Sequence, residues 1–387
     1  MQTDMYEQKR KPFTQQQLNA ALTSHERYLT YQGGMRAQLA HAALDGLNLA
    51  NRNLTEADFS GASLVGASLS GSNLERASLY CADLRRCNLQ SARLIRADLR
   101  GASFSGAKLS FALLDHADLR AAMMMYVGAG GVSVVNHERE KAKPGVAPAG
   151  VDFSNCSLKG ASFGNAKLDN ANFTGALLQG ANFKQARLSN VNFRGAVLTG
   201  VDINELAVPP EAMTGCVRDV APEAAAKFDD LKARLDAHQL WTVSGGAKGA
   251  PAVLDGEDLR PLLQLLVGRP LAGISARGAI AIGLDFSGSQ FQAAKLDGAD
   301  FRDANFSNAD LRGTSFKNAR LAHARFDKSN LCRLQLHGGT ALAPNLCGTD
   351  AIELQFRTAI LEDKVSALGV GQAPAMDGES STPSTLP

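Results

Sequence analysis

Residues 57–84 read ADFSGASLVGASLSGSNLERASLYCADL and repeat a five-residue unit: a small residue, a polar residue, Leu or Phe, and two variable residues. We call the Leu or Phe position i. It holds Leu or Phe in 16 consecutive units between residues 44 and 119. A period of five spreads side chains over every face of a helix or strand, so neither element alone can bury positions i and i−2.

A five-residue side that turns a corner and starts again can bury both positions. Four sides would close into a square coil, and coils stacked about 4.8 Å apart would form hydrogen bonds with one another. The small residue at i−2 lets opposite walls approach while the larger residue fills the axis. Gly61 and Gly66 at i+2 suit corners with unusual backbone angles. The repeat therefore predicts a β-solenoid.

The units ADFSG at 57–61 and ADLRG at 97–101 resemble the A-(D/N)-(L/F)-x-x units of pentapeptide-repeat proteins. This resemblance implies a right-handed quadrilateral β-helix. The expected fold class is an all-β solenoid in two modules, each preceded by a helical cap. Because the family is a scaffold shared by proteins of different roles, the resemblance predicts the fold far better than the function.

Residues 14–32 are predicted to form a helix, because Thr14 and Gln17 can make a capping box and Leu18 and Leu22 share a face. Such a helix would cover the open β edge of the first coil. A second helix has the same spacing and indicates a duplication; Leu231, Leu235, His238 and Trp241 correspond to Leu18, Leu22, His25 and Tyr28, and Leu254-Asp255-Gly256 to Leu44-Asp45-Gly46.

His25 and His238 lie one in each predicted cap. A metal site needs several ligands, and the sequence places no further His, Cys or carboxylate beside either histidine. We therefore expect each imidazole to bond to a backbone carbonyl of the first coil. Pro222 is expected in the first turn of the second helix.

The predicted organisation is a flexible N-terminus (1–13), a first cap (14–40), a first β-helix (41–204) interrupted by a loop (121–150), a linker with a second cap (205–253), a second β-helix (254–363) and a disordered tail (364–387).

Between 153 and 198 position i alternates strictly between Phe and Leu, which predicts stacked Phe columns, one of them Phe153, Phe173 and Phe193. In the second β-helix the inward positions run from Phe286 to Leu336 and continue in phase at Leu346, Phe356 and Leu361.

Composition and motifs favour a protein without catalytic chemistry. The formal net charge of +2 over 387 residues argues against a general nucleic-acid binder. The Asp residues at i−1, such as Asp58 and Asp98, alternate with Asn and Ser, so we expect a structural role for them. No phosphate loop, nucleophile elbow or metal-ligand spacing occurs. We expect no catalytic, cofactor-binding or metal-binding residue, and no cofactor.

Two features could form an interaction surface. The interruption begins with apolar residues that could dock a partner or fold back over the coil end. An arginine cluster lies among acidic residues on several walls, as is typical of a solvated, mixed-sign surface. The candidate residues are Met123, Met124, Met125, Tyr126, Arg85, Arg86, Arg96 and Arg100.

The leading hypothesis is a non-enzymatic cytoplasmic scaffold that binds a protein partner of unknown identity, with no nucleic acid, no stable membrane insertion and homodimerisation left open. One alternative is DNA mimicry, because some pentapeptide-repeat proteins act on DNA gyrase as acidic rods. The first solenoid departs from that pattern, since it carries as many Arg and Lys as Asp and Glu. A further alternative is an effector or membrane-associated adaptor that uses residues 123–127 and Lys9-Arg10-Lys11, which predict weak anchoring.

No secretory signal or membrane span follows the basic run at Lys9, so the cytoplasm is the expected location. The six cysteines show no C-x-x-C spacing. Cys87 and Cys156 occupy i−2 positions, where a small buried residue is wanted. They are therefore expected to be reduced core thiols.

Overall fold

The computed structural model describes residues 12–128, 131–135 and 150–362. The chain divides into two compact units, Met1–Asp219 (unit 1) and Val220–Pro387 (unit 2). The flexible N-terminus expected at 1–13 falls largely outside the described residues, and the tail expected at 364–387 falls wholly outside them.

The pentapeptides of unit 1 form four-sided coils that stack in parallel register. Each side pairs through a β-bridge with the side four places further along the chain, as Asp58 does with Ser78 and Ser78 with Asp98. One coil therefore consists of four five-residue sides. We number the walls in chain order by the residues at i−1. Wall 1 contains Asp58, Ser78, Asp98 and Asp118; wall 2, Ser63 and Asp83; wall 3, Ser68 and Asn88; wall 4, Asn73 and Arg93.

A regular pentapeptide satisfies all five of its backbone N–H groups, as a buried backbone requires. The i−1 group donates to the preceding coil, the i and i+2 groups donate to the following coil, and the group at i+3 closes the corner. The i+1 group donates to the side chain at i−1. In the unit at 58–62 the bonds are Asp58 N to Ala37 O at 3.0 Å, Phe59 N to Ser78 O at 2.8 Å, Ser60 N to Asp58 Oδ1 at 2.9 Å, Gly61 N to Tyr80 O at 2.8 Å, and Ala62 N to Phe59 O at 2.9 Å.

The corners confirm the expected backbone conformation at i+2. Every corner position from His41 to His116 has a φ between 50° and 71°, whether or not it is glycine. Together with the i to i+3 hydrogen bond, this is the geometry of a type II turn. A side makes a single bridge before it turns, so the coils contain bridges rather than extended strands.

The core confirms the inward positions i and i−2. Phe153, Phe173 and Phe193 stack with centroids 5.0 Å apart and rings within 10° of parallel. A second column pairs Phe163 with Phe183 at 4.8 Å, and the two columns meet edge to face. The strict alternation of Phe and Leu therefore builds two interlocking aromatic columns, as the sequence predicts.

The interruption leaves unit 1 without breaking its column. Walls 3, 4 and 1 continue across it, because Lys108 pairs with Asp152, Leu113 with Ser157 and Asp118 with Ser162 as they would with the next coil. The prediction of a loop throughout 121–150 is wrong at its start, where an antiparallel hairpin forms from β1 (Met124–Gly128) and β2 (Gly131–Val135). The polar run at 136–149 falls outside the described residues.

Helix α1 (Gln15–Leu29) precedes the first coil of unit 1. Its start confirms the predicted capping box, since Thr14 and Gln17 bond to each other's backbone N–H groups. Leu18 and Leu22 lie in the same buried cluster as the first Leu residues of the coils. Unit 1 ends with two short 3-10 helices, Ile203–Leu206 and Pro210–Met213.

Unit 2 begins with α2 (Pro222–Ala225) and α3 (Phe228–Val243). Pro222 therefore starts a separate short helix, and the longer helix begins after it at Phe228. A 3-10 segment, Arg260–Leu266, lengthens one side of the first coil, so that Val253 pairs with Ser275. The later coils return to the regular spacing, as in the pairing of Ser275 with Lys295.

The last coil of unit 2 is irregular, as expected. Strands β3 (Leu334–Gln335) and β4 (Ala341–Leu342) form a small hairpin, and the 3-10 helix Glu353–Phe356 follows. The assignment of Leu336 to the interior is wrong, because the hairpin carries it out of the column and leaves it 44% exposed. Leu346 and Phe356 return to the core, and Phe356 stacks on Phe326 at 4.6 Å.

Candidate interaction surface

The aspartates at i−1 have the structural role that the sequence indicates. Asp58 accepts the N–H of Ser60, and Asn53 accepts that of Thr55 in the same way. At some Ser positions an Asp at i+1 of the preceding coil accepts instead, since Asp45 accepts both the Ser63 hydroxyl and the Val65 N–H. These carboxylates complete the backbone hydrogen bonding of the coils.

A further pattern, Asp at i−1 followed by Arg at i+1, escaped the sequence analysis. It occurs six times, and in each case the Arg donates hydrogen bonds to its Asp carboxylate from Nε and Nη2. In one pair Arg120 Nε lies 2.9 Å from Asp118 Oδ1, and Arg120 Nη2 lies 2.6 Å from Asp118 Oδ2. The tripeptide D-(L/F)-R was the signal that could have revealed it. The six pairs are Asp83 with Arg85, Asp98 with Arg100, Asp118 with Arg120, Asp258 with Arg260, Asp300 with Arg302, and Asp310 with Arg312.

Two of these pairs stack on wall 1, and their arginines, Arg100 and Arg120, line a shallow cleft of about 270 Å³ at the point where the hairpin leaves the coils. The Arg100 guanidinium lies over the Tyr80 ring, 5.3 Å from its centroid. The Tyr80 hydroxyl donates to Met123 O at 3.0 Å. The lining residues are Tyr80, Arg100, Arg120, Ala121, Ala122, Gly164 and Asn165.

The electrostatics of this cleft are balanced and polar. Partial burial raises the pKa of Asp118, but the hydrogen bonds and charge of Arg120 outweigh it and hold that pKa below its ordinary value. Burial also raises the pKa of Tyr80, so its hydroxyl stays protonated and donates at neutral pH. The cleft therefore offers two fixed guanidinium groups and an aromatic face, with carboxylates that offset much of the charge.

The structure brings only part of the predicted surface together. Met123, 71% exposed, and Arg100 meet at Tyr80. Arg85 lies on wall 2, Arg86 at the corner after wall 2, and Arg96 at the corner after wall 4. The side chains of Met124, Met125 and Tyr126 fall outside the described part of the structure, so the choice between docking and folding back stays a prediction.

The histidines differ from expectation in the direction of their hydrogen bonds. His25 Nδ1 accepts the N–H of Ala37 at 3.1 Å, and His238 Nδ1 accepts that of Ala252 at 3.0 Å. The bond of Nδ1 is therefore made to a backbone N–H. The backbone of Thr55 in unit 1, and that of Leu271 and Ala272 in unit 2, also face the imidazoles and partly offset the effect of burial on the pKa. Burial lowers the pKa of both histidines, which keeps each imidazole neutral and able to accept.

These bonds also correct the alignment of the two copies. Ala37 and Ala252 hold position i−2 ahead of Leu39 and Leu254, so Leu254 corresponds to Leu39. The pairing of Leu254 with Leu44 that the sequence predicts is one side too far along. The different spacing after each histidine, 12 residues in unit 1 and 14 in unit 2, hides the correspondence.

The cysteine expectation is confirmed for the two core thiols. Cys87 and Cys156 are buried, and their Sγ atoms lie 3.0 and 2.8 Å from the backbone oxygens of Leu64 and Leu109. Burial raises the pKa of Cys87 to about 12 and raises that of Cys156 as well. Neither thiol is reactive at neutral pH. Among the described residues, no group of three His, Cys, Asp or Glu side chains could hold a metal ion.

The family model described as Pentapeptide repeats matches residues 35–71, 53–90, 82–120, 149–185, 176–206, 271–308 and 299–333, together more than half of the chain. The chain belongs to the pentapeptide-repeat family. Its repeats accordingly form a right-handed quadrilateral β-helix, as the resemblance at 57–61 and 97–101 implied. A search of curated proteins finds no match.

Solved pentapeptide-repeat proteins resemble the chain. The protein alr5209 from Nostoc PCC 7120 is 36% identical over 25% of this chain and 78% of its own length, with a TM-score of 0.23. HetL from the same cyanobacterium, described as involved in the regulation of heterocyst differentiation, is 20% identical over 87% of this chain and 90% of its own, with a TM-score of 0.13. QnrB1, a plasmid-mediated fluoroquinolone resistance protein, is 18% identical over 50% and 91%, with a TM-score of 0.19.

This pentapeptide-repeat protein also lacks, within the described residues, any helix that is long and apolar enough to cross a membrane. The main candidate surface of the chain is the cleft on wall 1. The sequence-based candidates omit Tyr80 and Arg120, which hold the same i+1 position as Arg100, one coil before it and one coil after it.

Proposed function

We propose that this pentapeptide-repeat protein is a non-enzymatic cytoplasmic scaffold that binds a protein partner at the wall 1 cleft. The observation that carries the proposal is the pair of stacked Arg residues, 100 and 120, held in fixed forks beside Tyr80. Arg and Tyr are enriched where protein interfaces concentrate their binding energy. The forks fix the guanidinium groups in advance, which lowers the entropy lost on binding.

We also propose that the chain consists of two modules in which α1 and α3 act as caps over the first coils. Each helix places two Leu residues in the core of its unit. Each also supplies a histidine acceptor for an i−2 N–H of the first side, which has no preceding pentapeptide whose corner could accept it. Covering an open edge in this way hinders further strand addition.

The interaction proposal is tested by crosslinking in native cytosol followed by capture with purified variants. Arg120→Ala should lower capture of the crosslinked partner several-fold. Arg312→Ala is the matched control, because Arg312 forms the same fork with Asp310 in unit 2 at 2.9 and 2.7 Å. Equal losses from both variants, or no reproducible partner beside a measured turnover, would contradict the proposal.

DNA mimicry is less well supported by the charges. A gyrase-binding mimic presents a dense array of unpaired negative charge. Here Asp83, Asp98 and Asp118 are each gripped by an Arg, which offsets the negative potential of walls 1 and 2. We expect stoichiometric protein to leave DNA supercoiling by purified gyrase unchanged, and inhibition or drug protection would revive this alternative.

A further inference from the structure

The two longer helices end in the same hydrogen-bonded motif with different residues. After the C-caps Thr30 and Ser244, the next residues, Tyr31 and Gly245, have φ of 56° and 62°. In both helices the next two N–H groups bond back to the last turn, which defines a Schellman motif. The bonds are Tyr31 N to Tyr28 O at 3.1 Å, Gln32 N to Arg27 O at 2.9 Å, Gly245 N to Thr242 O at 3.3 Å, and Gly246 N to Trp241 O at 2.8 Å.

Glycine is the residue this position favours, because a side chain is strained in the left-handed region. Unit 2 has Gly245 there, whereas unit 1 has Tyr31. Tyr31 is 98% exposed, the most exposed of the large hydrophobic side chains among the described residues. Non-glycine residues with a similar φ also occupy many coil corners, so the backbone alone does not single out Tyr31. Its ring is exposed and does not pack in unit 1, so the folding of the unit does not account for a large aromatic side chain at this position.

Other apolar side chains surround Tyr31. Tyr28 is exposed on the last turn of α1, and Met35 is exposed just beyond it. The chain folds back along the helix, since Met35 N donates to Ser24 Oγ at 3.0 Å. Gly34 permits this approach, because a Cβ there would clash with the Ser24 carbonyl oxygen. We call residues 27–36 the tyrosine turn.

The tyrosine turn is flanked by positive charge. Arg27 and Arg36 are both exposed. Arg27 donates to Gln32 O at 3.2 Å, and no carboxylate within the described ranges pairs with it or with Arg36. The nearby Glu26 is already held by Arg52, through bonds of 2.6 and 3.0 Å. The surface therefore combines an exposed aromatic and apolar face with two available guanidinium groups.

We propose that the tyrosine turn is a docking site for an acidic segment of a protein partner that carries an aromatic or aliphatic anchor residue. The anchor packs on Tyr31, Tyr28 and Met35, while acidic side chains pair with Arg27 and Arg36. Charge complementarity selects an acidic partner over a basic one. Two arginines are also fewer than the row of phosphate contacts on which nucleic-acid binding depends. The site is separate from the wall 1 cleft, so either proposal can fail without the other.

The test is a selection of phage-displayed random peptides on the full-length protein, with counter-selection on Tyr31→Gly. Glycine suits the strained position, so this variant should unfold at the same or a higher temperature. We expect the enriched peptides to be acidic with one aromatic or aliphatic residue. They should bind Tyr31→Gly at least about tenfold more weakly than the unaltered protein.

Leu240→Ala is the matched control, because Leu240 is likewise exposed at the end of α3 and should leave peptide binding unchanged. Arg36→Ala should weaken binding of the acidic peptides, and added salt should reduce the difference. Enrichment of peptides that are not acidic, or equal binding to Tyr31→Gly, overturns the proposal. So does Tyr31-dependent flotation with phosphatidylserine vesicles, or Tyr31-dependent self-association in sedimentation, when no acidic peptide is enriched.

Discussion

In unit 1 and in unit 2 a helix packs on the first coil. The contacts that the two junctions share are the ones that hold the helix on the coil, and the contacts that differ are not required for it. Both helices bury two Leu residues and a neutral His that accepts a coil N–H. In both first coils an Arg at i−2 also donates to a carboxylate of the helix: Arg52 bonds to Glu26, and Arg269 bonds to Asp236. The N-caps differ, because Thr14 caps α1 whereas no side chain caps α3. Leu burial, the His bond and the Arg–carboxylate bond are therefore the features common to both junctions, and capping is not.

The largest expected effect lies in a core that only unit 1 has in this form. Phe173→Ala should lower the free energy of unfolding by about 3 to 5 kcal/mol, because it removes a ring that is stacked on both sides and leaves a cavity. Calorimetry should show the transition of unit 1 at lower temperature and that of unit 2 unchanged, since coils contact only their neighbours. Lys184→Ala, at an exposed outward position, should cost less than about 0.5 kcal/mol.

The histidine junctions should respond alike in the two units. His25→Ala and His238→Ala should each cost about 2 to 3 kcal/mol, because each leaves a coil N–H without its acceptor and opens a cavity. Chemical denaturation monitored in each unit measures the loss. His337→Ala, at an exposed site, is the control. A large cost in one unit and none in the other would show that the junctions are not equivalent.

Acid should weaken both junctions. Burial lowers the pKa of His25 and His238 in the folded protein, while the unfolded imidazoles titrate near their ordinary pKa of about 6.5. Below that pH the unfolded chain binds more protons, so the stability from these groups is complete above about pH 6.5 and declines as the pH falls towards the folded pKa values. Unfolding midpoints at pH 7.5 and 5.5 measure the decline. An unchanged pH dependence in the double variant His25→Ala, His238→Ala would assign the effect to other groups.

The smallest effect concerns single coils. Asp58→Ala should cost about 1 kcal/mol, because the Ser60 N–H loses its acceptor, whereas Asp58→Asn keeps an acceptor and should cost less than about 0.5 kcal/mol. Asp285 makes the same bond to Ser287 N in unit 2 at 2.8 Å, and its two variants should behave in parallel. If Asn and Ala were equally damaging at both sites, charge rather than hydrogen bonding would be the role of these aspartates.

The sequence predicts the repeating part of the molecule well because each position has one local environment. The burial of i and i−2, the corners at i+2 and the Phe columns all follow from a period of five and a coil of four sides. Where the five-residue period is interrupted, the pattern no longer predicts which residues are buried. Leu336 keeps the correct spacing yet leaves the core, because a hairpin shifts the chain there.

The candidate surface was harder to predict than the fold. Tyr80, Arg100 and Arg120 are each 20 residues apart and become neighbours through stacking on wall 1. A four-sided coil predicts this stacking, but it does not predict which of the stacked positions borders a cleft. The strained position of Tyr31 is invisible in a sequence, since it depends on a φ of 56° at the end of α1. Comparing the two helix ends reveals it, because Gly245 shows which residue the backbone prefers there.

The corner where the hairpin leaves the coils shows that an insertion at this place does not disturb the stacking of the coils. Asp118 pairs with Ser162 as directly as Asp98 pairs with Asp118, although the whole insert lies between the first two residues. The cost of closing a flexible excursion grows only by about 0.6 kcal/mol for each doubling of its length. A foreign peptide or a small domain could therefore be inserted at the corner after wall 1 while the coils on either side of the insertion keep their register.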